Sequence, residues 1–170
     1  CIPIDPFYLT WKSKEYELPT RFIELAGQIN TAMPRHVVGR LAEALDVHQG
    51  KALSRSKVLV LGLAYKKNVP DIRESPSLKL IELILERGGN VAFHDPYVAE
   101  IPKTREYSEL MGMKSVAWTE DSIAGFDAVL VATDHDNVDY QQLADWSPLI
   151  IDTRNAFARR GISASHILKA

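Results

Sequence analysis

The apolar residues near the start of the chain recur with the period of a helix. From Thr20 to about Leu45 they are spaced by three or four positions, as on one face of an amphipathic helix. The series comprises Phe22, Ile23, Ala26, Ile29, Met33, Val37, Leu41 and Leu45. Pro34 is expected to kink or interrupt this long helix, because proline lacks a backbone N–H and its ring crowds the preceding turn. The polar segment 46–56 that follows predicts a linker.

A different pattern begins at Lys57, where a β-branched and leucine run ends at Gly62 and predicts a strand buried on both faces. Ser75 and Pro76 predict the N-cap and first turn of a helix that continues through Arg87. Further strands are expected at Asn90–His94, Val116–Ala117, Asp127–Ala132 and Leu149–Ile151, with short helices near Ser122 and Gln141. Alternating strands and helices predict an α/β fold with a Rossmann-like, doubly wound parallel sheet. We therefore expect a helical region over residues 1–50 and an α/β domain over residues 51–170.

Composition and charge exclude several classes of protein. The chain has 170 residues, of which 46% are hydrophobic and 25% charged, enough for one ordinary core and a smaller appended element. The formal net charge of -2 and scattered basic residues argue against a nucleic-acid partner. No apolar run approaches the roughly 20 residues needed to span a bilayer, so no membrane partner is expected. A single cysteine is compatible with a cytoplasmic location, and the histidines lack paired ligand spacing, so no metal is predicted.

The turn after the first strand does not match a dinucleotide fingerprint, which needs three glycines there. Gly62 is the single glycine, and a long polar loop precedes Ser75. This loop carries Tyr65, Lys66, Lys67 and Arg73 at the carboxyl end of a strand, where doubly wound sheets bind ligands. Cations beside an aromatic ring suit phosphate and a planar base. The alternative is a solvated, charged loop without a ligand.

Three passages together resemble the UDP-glucose/GDP-mannose dehydrogenase family in order and spacing. They are Cys1-Ile2-Pro3-Ile4-Asp5-Pro6, the loop from Gly62-Leu63-Ala64-Tyr65-Lys66 through Asp71-Ile72-Arg73-Glu74-Ser75-Pro76, and His94-Asp95-Pro96. The resemblance covers essentially the whole chain. It implies that residues 1–50 contain the end of the catalytic loop and a central dimerisation helix, and that residues 51–170 form the C-terminal UDP-sugar-binding domain. A homodimer, and an NAD-binding domain upstream of Cys1, are expected on the same grounds.

The resemblance also implies a reaction and its residues. Members of the family oxidise the sugar C6 alcohol to the acid through a cysteine thiohemiacetal and thioester, with two NAD reduced. Cys1 matches the nucleophile and Asp5 the assisting carboxylate, Tyr65 and Lys66 match contacts to the nucleotide sugar, and Arg73 matches a contact to the NAD phosphates. Arg154 matches a substrate-binding arginine more loosely. From residue type alone, Cys1 would be a small buried hydrophobe and Asp5 a turn residue.

The identity of the sugar depends on the segment around Ile4. Many UDP-glucose dehydrogenases have lysine at this position, whereas the run from Cys1 to Lys12 looks more like bacterial enzymes that act on UDP-N-acetylhexosamines for surface polysaccharide. UDP-N-acetylglucosamine is the first expectation, with UDP-glucose and UDP-N-acetylmannosamine as alternatives. The chain alone is expected to be inactive but able to bind UDP. A stand-alone nucleotide-binding or dimerisation module without catalysis is the alternative from another class.

Overall fold

A computed structural model describes residues 4–170 of the chain, so the predicted nucleophile Cys1 lies outside the described residues. The helices are α1 (Asp5–Lys14), α2 (Arg21–Gln49), α3 (Pro76–Glu86), α4 (Glu120–Ala124) and α5 (Tyr140–Trp146). The strands are β1 (Lys57–Leu61), β2 (Asn90–His94), β3 (Ala128–Val131), β4 (Ile150–Asp152) and β5 (Ile167–Lys169). Short 3-10 helices span Leu53–Arg55, Ser108–Leu110 and Ala158–Arg160.

The five strands form one sheet in the order β2-β1-β3-β4-β5, and every neighbouring pair is parallel. This confirms the predicted doubly wound α/β fold. Alternate residues of β1 face opposite layers: Val58 and Val60 pack in the core shared with α2 and α3, and Leu59 and Leu61 pack in the core shared with α4 and α5. Burial on both faces explains why the strand is a continuous apolar run. The chain changes direction across the sheet between β1 and β3, so their carboxyl ends flank the crevice where such sheets bind ligands.

Helix α2 is longer and less interrupted than the sequence predicted. It runs without a break through Pro34 to Gln49 and ends at Gly50, whose left-handed φ of 59° closes the helix. Packing against α1 on one side of Pro34 and against α3 on the other holds the helix together despite the missing backbone hydrogen bond. The prediction of a linker over 46–56 is therefore wrong for its first part, and Leu53 in its second part is buried in the core.

The two halves of α2 have different surroundings. Val37, Val38, Leu41 and Leu45 are buried against α3 and the sheet. Residues 21–33 instead pack against α1, where the Phe7 ring lies so close to Gly27 that a Cβ there would come within 2.4 Å of Phe7 Cζ. Large apolar side chains on this half remain exposed: Phe22, Leu25, Ile29 and Met33. We call α1 and residues 21–33 of α2 the amino-terminal helical region.

Three short elements differ from the sequence prediction. Helix α1 was not predicted, and neither was the edge strand β5, whose residues are half-buried or exposed. Val116 and Ala117 do not form a strand, because only an isolated bridge between Phe93 and Ser115 extends the pairing there. No helix in the part of the chain that the structure describes is long and apolar enough to cross a membrane.

Candidate functional site

The loop after β1 (residues 62–75, the β1 loop) is anchored at its base by hydroxyl groups. Gly62 has a φ of +85°, and a Cβ there would lie 2.3 Å from the Thr133 carbonyl oxygen, so the close approach requires glycine. Ser77 Oγ donates to the Gly62 carbonyl at 2.9 Å, and Ser75 Oγ donates to the Leu63 carbonyl at 2.7 Å. Ser75 also accepts a hydrogen bond from Ser77 N, as the predicted N-cap of α3. The base of the loop is therefore fixed to α3 and to the end of β3.

Asp95, which directly follows β2, holds the β1 loop from the other side. Its buried carboxylate accepts hydrogen bonds from the backbone amides of Leu63 at 2.6 Å, Ala64 at 3.0 Å and Tyr97 at 2.8 Å. Burial alone would raise the pKa of the Asp95 carboxyl, but hydrogen bonds from His135 and from the Ala64 and Tyr97 amides outweigh burial and lower that pKa below its ordinary value. Asp95 is thus a buried, ionised anchor for two loops.

These contacts leave the turn after β1 unsuited to the pyrophosphate of NAD. In a dinucleotide-binding fold the amides of this turn face the pyrophosphate. Here the Leu63 and Ala64 amides donate to Asp95, the Gly62 amide to the His94 carbonyl, and the Tyr65 amide to the Asp71 carbonyl. A negatively charged carboxylate occupies the place of the anion. The geometry agrees with the missing glycines of the fingerprint.

His135, in the loop after β3 (residues 132–139, the β3 loop), connects Asp95 to the far end of the β1 loop. Its side chain is fully buried, with Nε2 at 3.0 Å from Asp95 Oδ2 and Nδ1 at 2.9 Å from the Asn68 backbone nitrogen. A backbone N–H can only donate, so Nδ1 carries no proton. The proton of the neutral ring is therefore on Nε2 and is donated to Asp95.

The acidic neighbours of His135 extend these connections to further loops. Asp136 accepts hydrogen bonds from Lys67 Nζ at 3.0 Å and Asn68 Nδ2 at 2.6 Å. Asp134 accepts from Arg154 Nε at 3.1 Å and from Arg159, both in the loop after β4 (residues 153–162, the β4 loop). Burial would raise the pKa of Asp134, but hydrogen bonds from the two arginines outweigh it and lower that pKa. Residues 134–136 therefore join the β1 loop to the β4 loop.

The predicted substrate-binding residues lie on these joined loops. The Lys66 ammonium is 5.1 Å from the centroid of the Tyr65 ring, and Lys66 has no ion-pair partner within residues 4–170. Arg154 is 54% exposed in its side chain and is oriented by Asp134. The structure thus places Tyr65, Lys66 and Arg154 on loops at the same carboxyl edge of the sheet. Their roles as ligand contacts stay predictions.

Arg73, predicted to contact the cofactor, lies at the other end of the β1 loop. Its guanidinium forms a fork with the Asp71 carboxylate, with Nη2 at 2.7 Å and Nε at 3.0 Å, while its side chain is 86% exposed. The hydrogen bond from the Arg73 side chain lowers the pKa of Asp71 to about 2. Asp71 therefore stays charged and fixes the direction in which Arg73 projects.

Asp5 is not connected to this edge by any hydrogen bond or ion pair that the structure of residues 4–170 contains. It is exposed at the start of α1, which packs on α2. The roles predicted for Cys1 and Asp5 remain predictions. No three His, Cys, Asp or Glu side chains in the described part of the chain are grouped so that they could hold a metal ion.

Residue-by-residue reading of the sequence missed Asp134, His135 and Asp136 as organisers of the site. The signal was present, since a run of three titratable residues begins three positions after the end of the buried strand β3. In a parallel sheet such a run lies at the ligand-binding edge.

Comparisons with known proteins bear on the same edge of the sheet. The profile described as "UDP-glucose/GDP-mannose dehydrogenase family, UDP binding domain" matches residues 59–159. A UDP-N-acetyl-D-mannosamine dehydrogenase of Methanococcus maripaludis is 32% identical over 80% of this chain and 28% of its own length. Another of that name, from Pyrococcus horikoshii, is 34% identical over 91% of this chain and 34% of its own length.

Solved structures show the same similarity in three dimensions. The structure of a UDP-D-ManNAc dehydrogenase from Pyrococcus horikoshii superposes with a TM-score of 0.77 at 30% identity, over 99% of this chain and 37% of that one. A UDP-glucose dehydrogenase from Pyrobaculum islandicum superposes with a TM-score of 0.73 at 24% identity, over 99% of this chain and 36% of that one, and shows the shared fold. The chain spans about a third of the length of the relatives it matches.

Proposed function

The chain belongs to the UDP-glucose/GDP-mannose dehydrogenase family, and we propose that it is the C-terminal part of an NAD-dependent UDP-sugar 6-dehydrogenase. The observation that carries this proposal is the joining of the β1, β3 and β4 loops at one carboxyl edge, with Lys66 and Arg154 exposed there. In the proposed reaction the C6 alcohol becomes an aldehyde, the Cys1 thiol adds to it, and the thiohemiacetal is oxidised to a thioester. Water then hydrolyses the thioester to the uronic acid.

The β1, β3 and β4 loops, which we call the carboxyl-edge loops, are proposed to bind the UDP part of the substrate. A pyrophosphate needs cations that are not already neutralised, and Lys66 has no ion-pair partner in the described chain. Arg154 uses Nε for Asp134, which leaves its Nη groups available for a phosphate oxygen. The partly exposed Tyr65 ring offers an aromatic surface beside these charges.

A titration of the isotopically labelled chain with UDP tests this site. We expect the largest chemical-shift changes at residues 65–73 and at Arg154, and weaker binding after Lys66→Ala. Lys103→Ala is the matched control, because Lys103 is also exposed and forms no ion pair within the described residues. Shift changes elsewhere but none in the β1 loop would contradict the proposed site.

NAD is proposed to bind mainly outside this chain, because the turn after β1 does not fit its pyrophosphate. NAD accepts a hydride in each oxidation step. Arg73 is exposed and held by Asp71, so that its Nη1 group can reach a phosphate presented by another domain. We therefore propose that this chain contributes Arg73 to the cofactor site without forming that site alone.

The sugar is proposed to be an N-acetylhexosamine. Similar proteins from several organisms carry the name UDP-N-acetyl-D-mannosamine dehydrogenase, which favours N-acetylmannosamine over the N-acetylglucosamine first expected from the sequence. The specificity is measured by comparing kcat/KM for UDP-N-acetylmannosamine, UDP-N-acetylglucosamine and UDP-glucose in the longer protein that contains this chain. A highest value for UDP-glucose would contradict the N-acetylhexosamine assignment.

A second copy of the chain is proposed to cover the amino-terminal helical region. Its exposed apolar residues include Trp11, Phe22, Leu25 and Ile29, and large exposed apolar surfaces mark interaction sites. Sedimentation of the chain should give the mass of a dimer, and Leu25→Glu with Ile29→Glu should shift it toward the monomer. Met111→Glu serves as the control, since Met111 is exposed outside this region. A monomeric wild-type chain would contradict the proposal.

A further inference from the structure

His135 is a fully buried side chain whose two ring nitrogens bond to different loops. Nε2 donates to Asp95, which follows β2, and Nδ1 accepts from the backbone amide of Asn68 at 2.9 Å. Asn68 lies two residues beyond Lys66 in the β1 loop. The imidazole is therefore a rigid link between a buried anchor and the part of the loop proposed to contact the ligand.

We propose that His135 is a positioning residue that holds Tyr65 and Lys66 in their ligand-binding geometry by accepting the Asn68 amide hydrogen at Nδ1. The proposal rests on the proposed function, since it takes the β1 loop as the nucleotide site. Lys66 makes no side-chain hydrogen bond or ion pair within residues 4–170, so its position depends on the backbone around it. That backbone is held at the Tyr65 amide by Asp71 and at the Asn68 amide by His135.

The conformation of Asn68 explains why this link is needed. Asn68 has a φ of 64°, in the left-handed region that asparagine adopts more readily than most residues other than glycine but that is not its usual conformation. Without compensating contacts the loop would populate other conformations, and a ligand would have to order it on binding. The hydrogen bonds to Asp136 also hold Asn68, but the Asp136 side chain is 53% exposed, so water can replace them. The acceptor in the other bond, Nδ1 of His135, belongs to a fully buried side chain and is less open to replacement by water.

Asp95 contributes by fixing the tautomer of the ring. Its ionised carboxylate accepts the Nε2 proton, which leaves Nδ1 as the acceptor that the Asn68 amide requires. The Tyr97 ring, whose centroid is 5.0 Å from that of His135, packs against the imidazole. The two hydrogen bonds of His135 therefore have separable roles, one in anchoring the ring and one in holding the loop.

Two substitutions separate these roles. In His135→Asn the shorter amide can place its oxygen near the position of Nδ1 but cannot reach Asp95. In His135→Gln the longer amide can donate to Asp95 but offers no acceptor at the position of Nδ1. His166→Gln is the control: His166 bonds to the Ala144 carbonyl and precedes β5, at the opposite edge of the parallel sheet.

UDP affinity and thermal stability are measured for all three variants of the 170-residue chain. We expect His135→Gln to weaken UDP binding by about 2- to 12-fold, the loss typical of one net hydrogen bond. His135→Asn should bind UDP more tightly than His135→Gln although it is less stable, because it keeps the bond to Asn68 and loses the one to Asp95. Two outcomes would overturn the proposal. In one, the less stable of the two variants also binds UDP more weakly; in the other, both variants bind UDP as tightly as the wild type.

Hydrogen exchange of the Asn68 amide provides a measurement that does not depend on the ligand. The amide should exchange faster in His135→Gln than in His135→Asn or the wild type. If wild-type chain has no affinity for UDP, the proposed function fails, and the exchange rates still decide whether His135 positions the loop. Equal exchange rates in the two variants would overturn the positioning role.

Discussion

In the amino-terminal helical region large apolar side chains are exposed to solvent, whereas polar side chains are buried beneath the carboxyl-edge loops. Phe22 is 89% exposed on α2, while Asp95 and His135 are almost completely buried beneath the β1 loop. The first region has apolar surface that residues 4–170 leave uncovered, and the second has buried polar groups whose hydrogen bonds are made within those residues. This contrast supports two separate proposals, that a second copy of the chain covers the helices and that a small polar ligand binds the loops.

The proposed chemistry divides along the same line. The predicted nucleophile and its assisting carboxylate belong to the start of the chain, and the predicted contacts to the nucleotide belong to the loops. Substitutions in the first region should therefore change turnover, and substitutions in the second should change binding.

Removing the predicted nucleophile should have the largest effect. In the longer protein, Cys1→Ala eliminates the thiol that would form the covalent intermediate, so uronic acid production should fall by several orders of magnitude. The dissociation constant of the UDP-sugar, measured by calorimetry, should stay close to the wild-type value because the carboxyl-edge loops are intact. A Cys1→Ala enzyme that still makes the uronic acid would show that the nucleophile lies elsewhere.

Asp5→Asn should have the next largest effect, because it removes a carboxylate that can position or deprotonate water. Loss of a general base typically costs about 10²- to 10⁴-fold in rate. If hydrolysis of the thioester is the step affected, a covalent sugar adduct on Cys1 should accumulate, and intact-mass spectrometry after mixing with substrate and NAD would detect it. Normal turnover of this variant would remove Asp5 from the mechanism.

Two substitutions in the β1 loop test whether binding of the UDP-sugar and binding of NAD depend on different ends of that loop. Lys66→Ala should raise the KM for the UDP-sugar by about 10- to 150-fold, equivalent to the roughly 1.5–3 kcal/mol of a hydrogen bond to a charged group. Arg73→Ala should instead raise the KM for NAD, because Arg73 projects from the other end of the loop. Steady-state kinetics with each substrate varied in turn separates the two effects. If both variants lost only thermal stability, the loop would be scaffolding.

Much of the sheet could be predicted from the sequence, because local signals and tertiary structure agree there. The apolar run of β1 predicts a buried strand, and Ser75-Pro76 predicts the start of α3, without information from the rest of the chain. The edge strand β5 escaped prediction because a short, half-exposed strand lacks a distinctive pattern. Helix α1 was not predicted because the prolines near its start are also typical of turns and irregular segments.

The candidate site was only partly predictable, for a different reason. The resemblance predicts Lys66 from a local motif and Arg154 more loosely, and their roles stay predictions. The contacts that hold them join residues far apart in the chain: Asp95 and His135 are separated by 40 positions, and Asn68 and His135 by 67. Such pairs come together only once the sheet has brought the ends of its strands to one edge.

The smallest predicted effect concerns acid, which should affect the loops before the helices. The pKa of Asp95 is lowered in the folded chain, so its ionised form contributes stability that is fully present above the ordinary carboxyl pKa of about 4 and is lost as the pH falls through the lowered value. Asp95→Asn should lower the free energy of unfolding by on the order of 1–3 kcal/mol near neutral pH, because amides that donate to the carboxylate lose an acceptor. The difference in unfolding free energy between Asp95→Asn and the wild type should decrease in acid, where the wild-type carboxyl is itself protonated.

Denaturant unfolding of both proteins at a series of pH values measures this convergence, and Asp71→Asn is the matched control. The pKa of Asp71 is lowered as well, to about 2, but Asp71 forms an exposed pair with Arg73, which contributes little to stability. The difference between Asp71→Asn and the wild type should therefore also decrease in acid, but from a smaller starting value than that of Asp95→Asn. Amide exchange should locate the loss, because the Leu63 and Ala64 amides donate directly to Asp95 whereas those of α2 are bonded within a helix. If α2 opened first in acid, the carboxylate network would not be what holds the ligand-binding edge together.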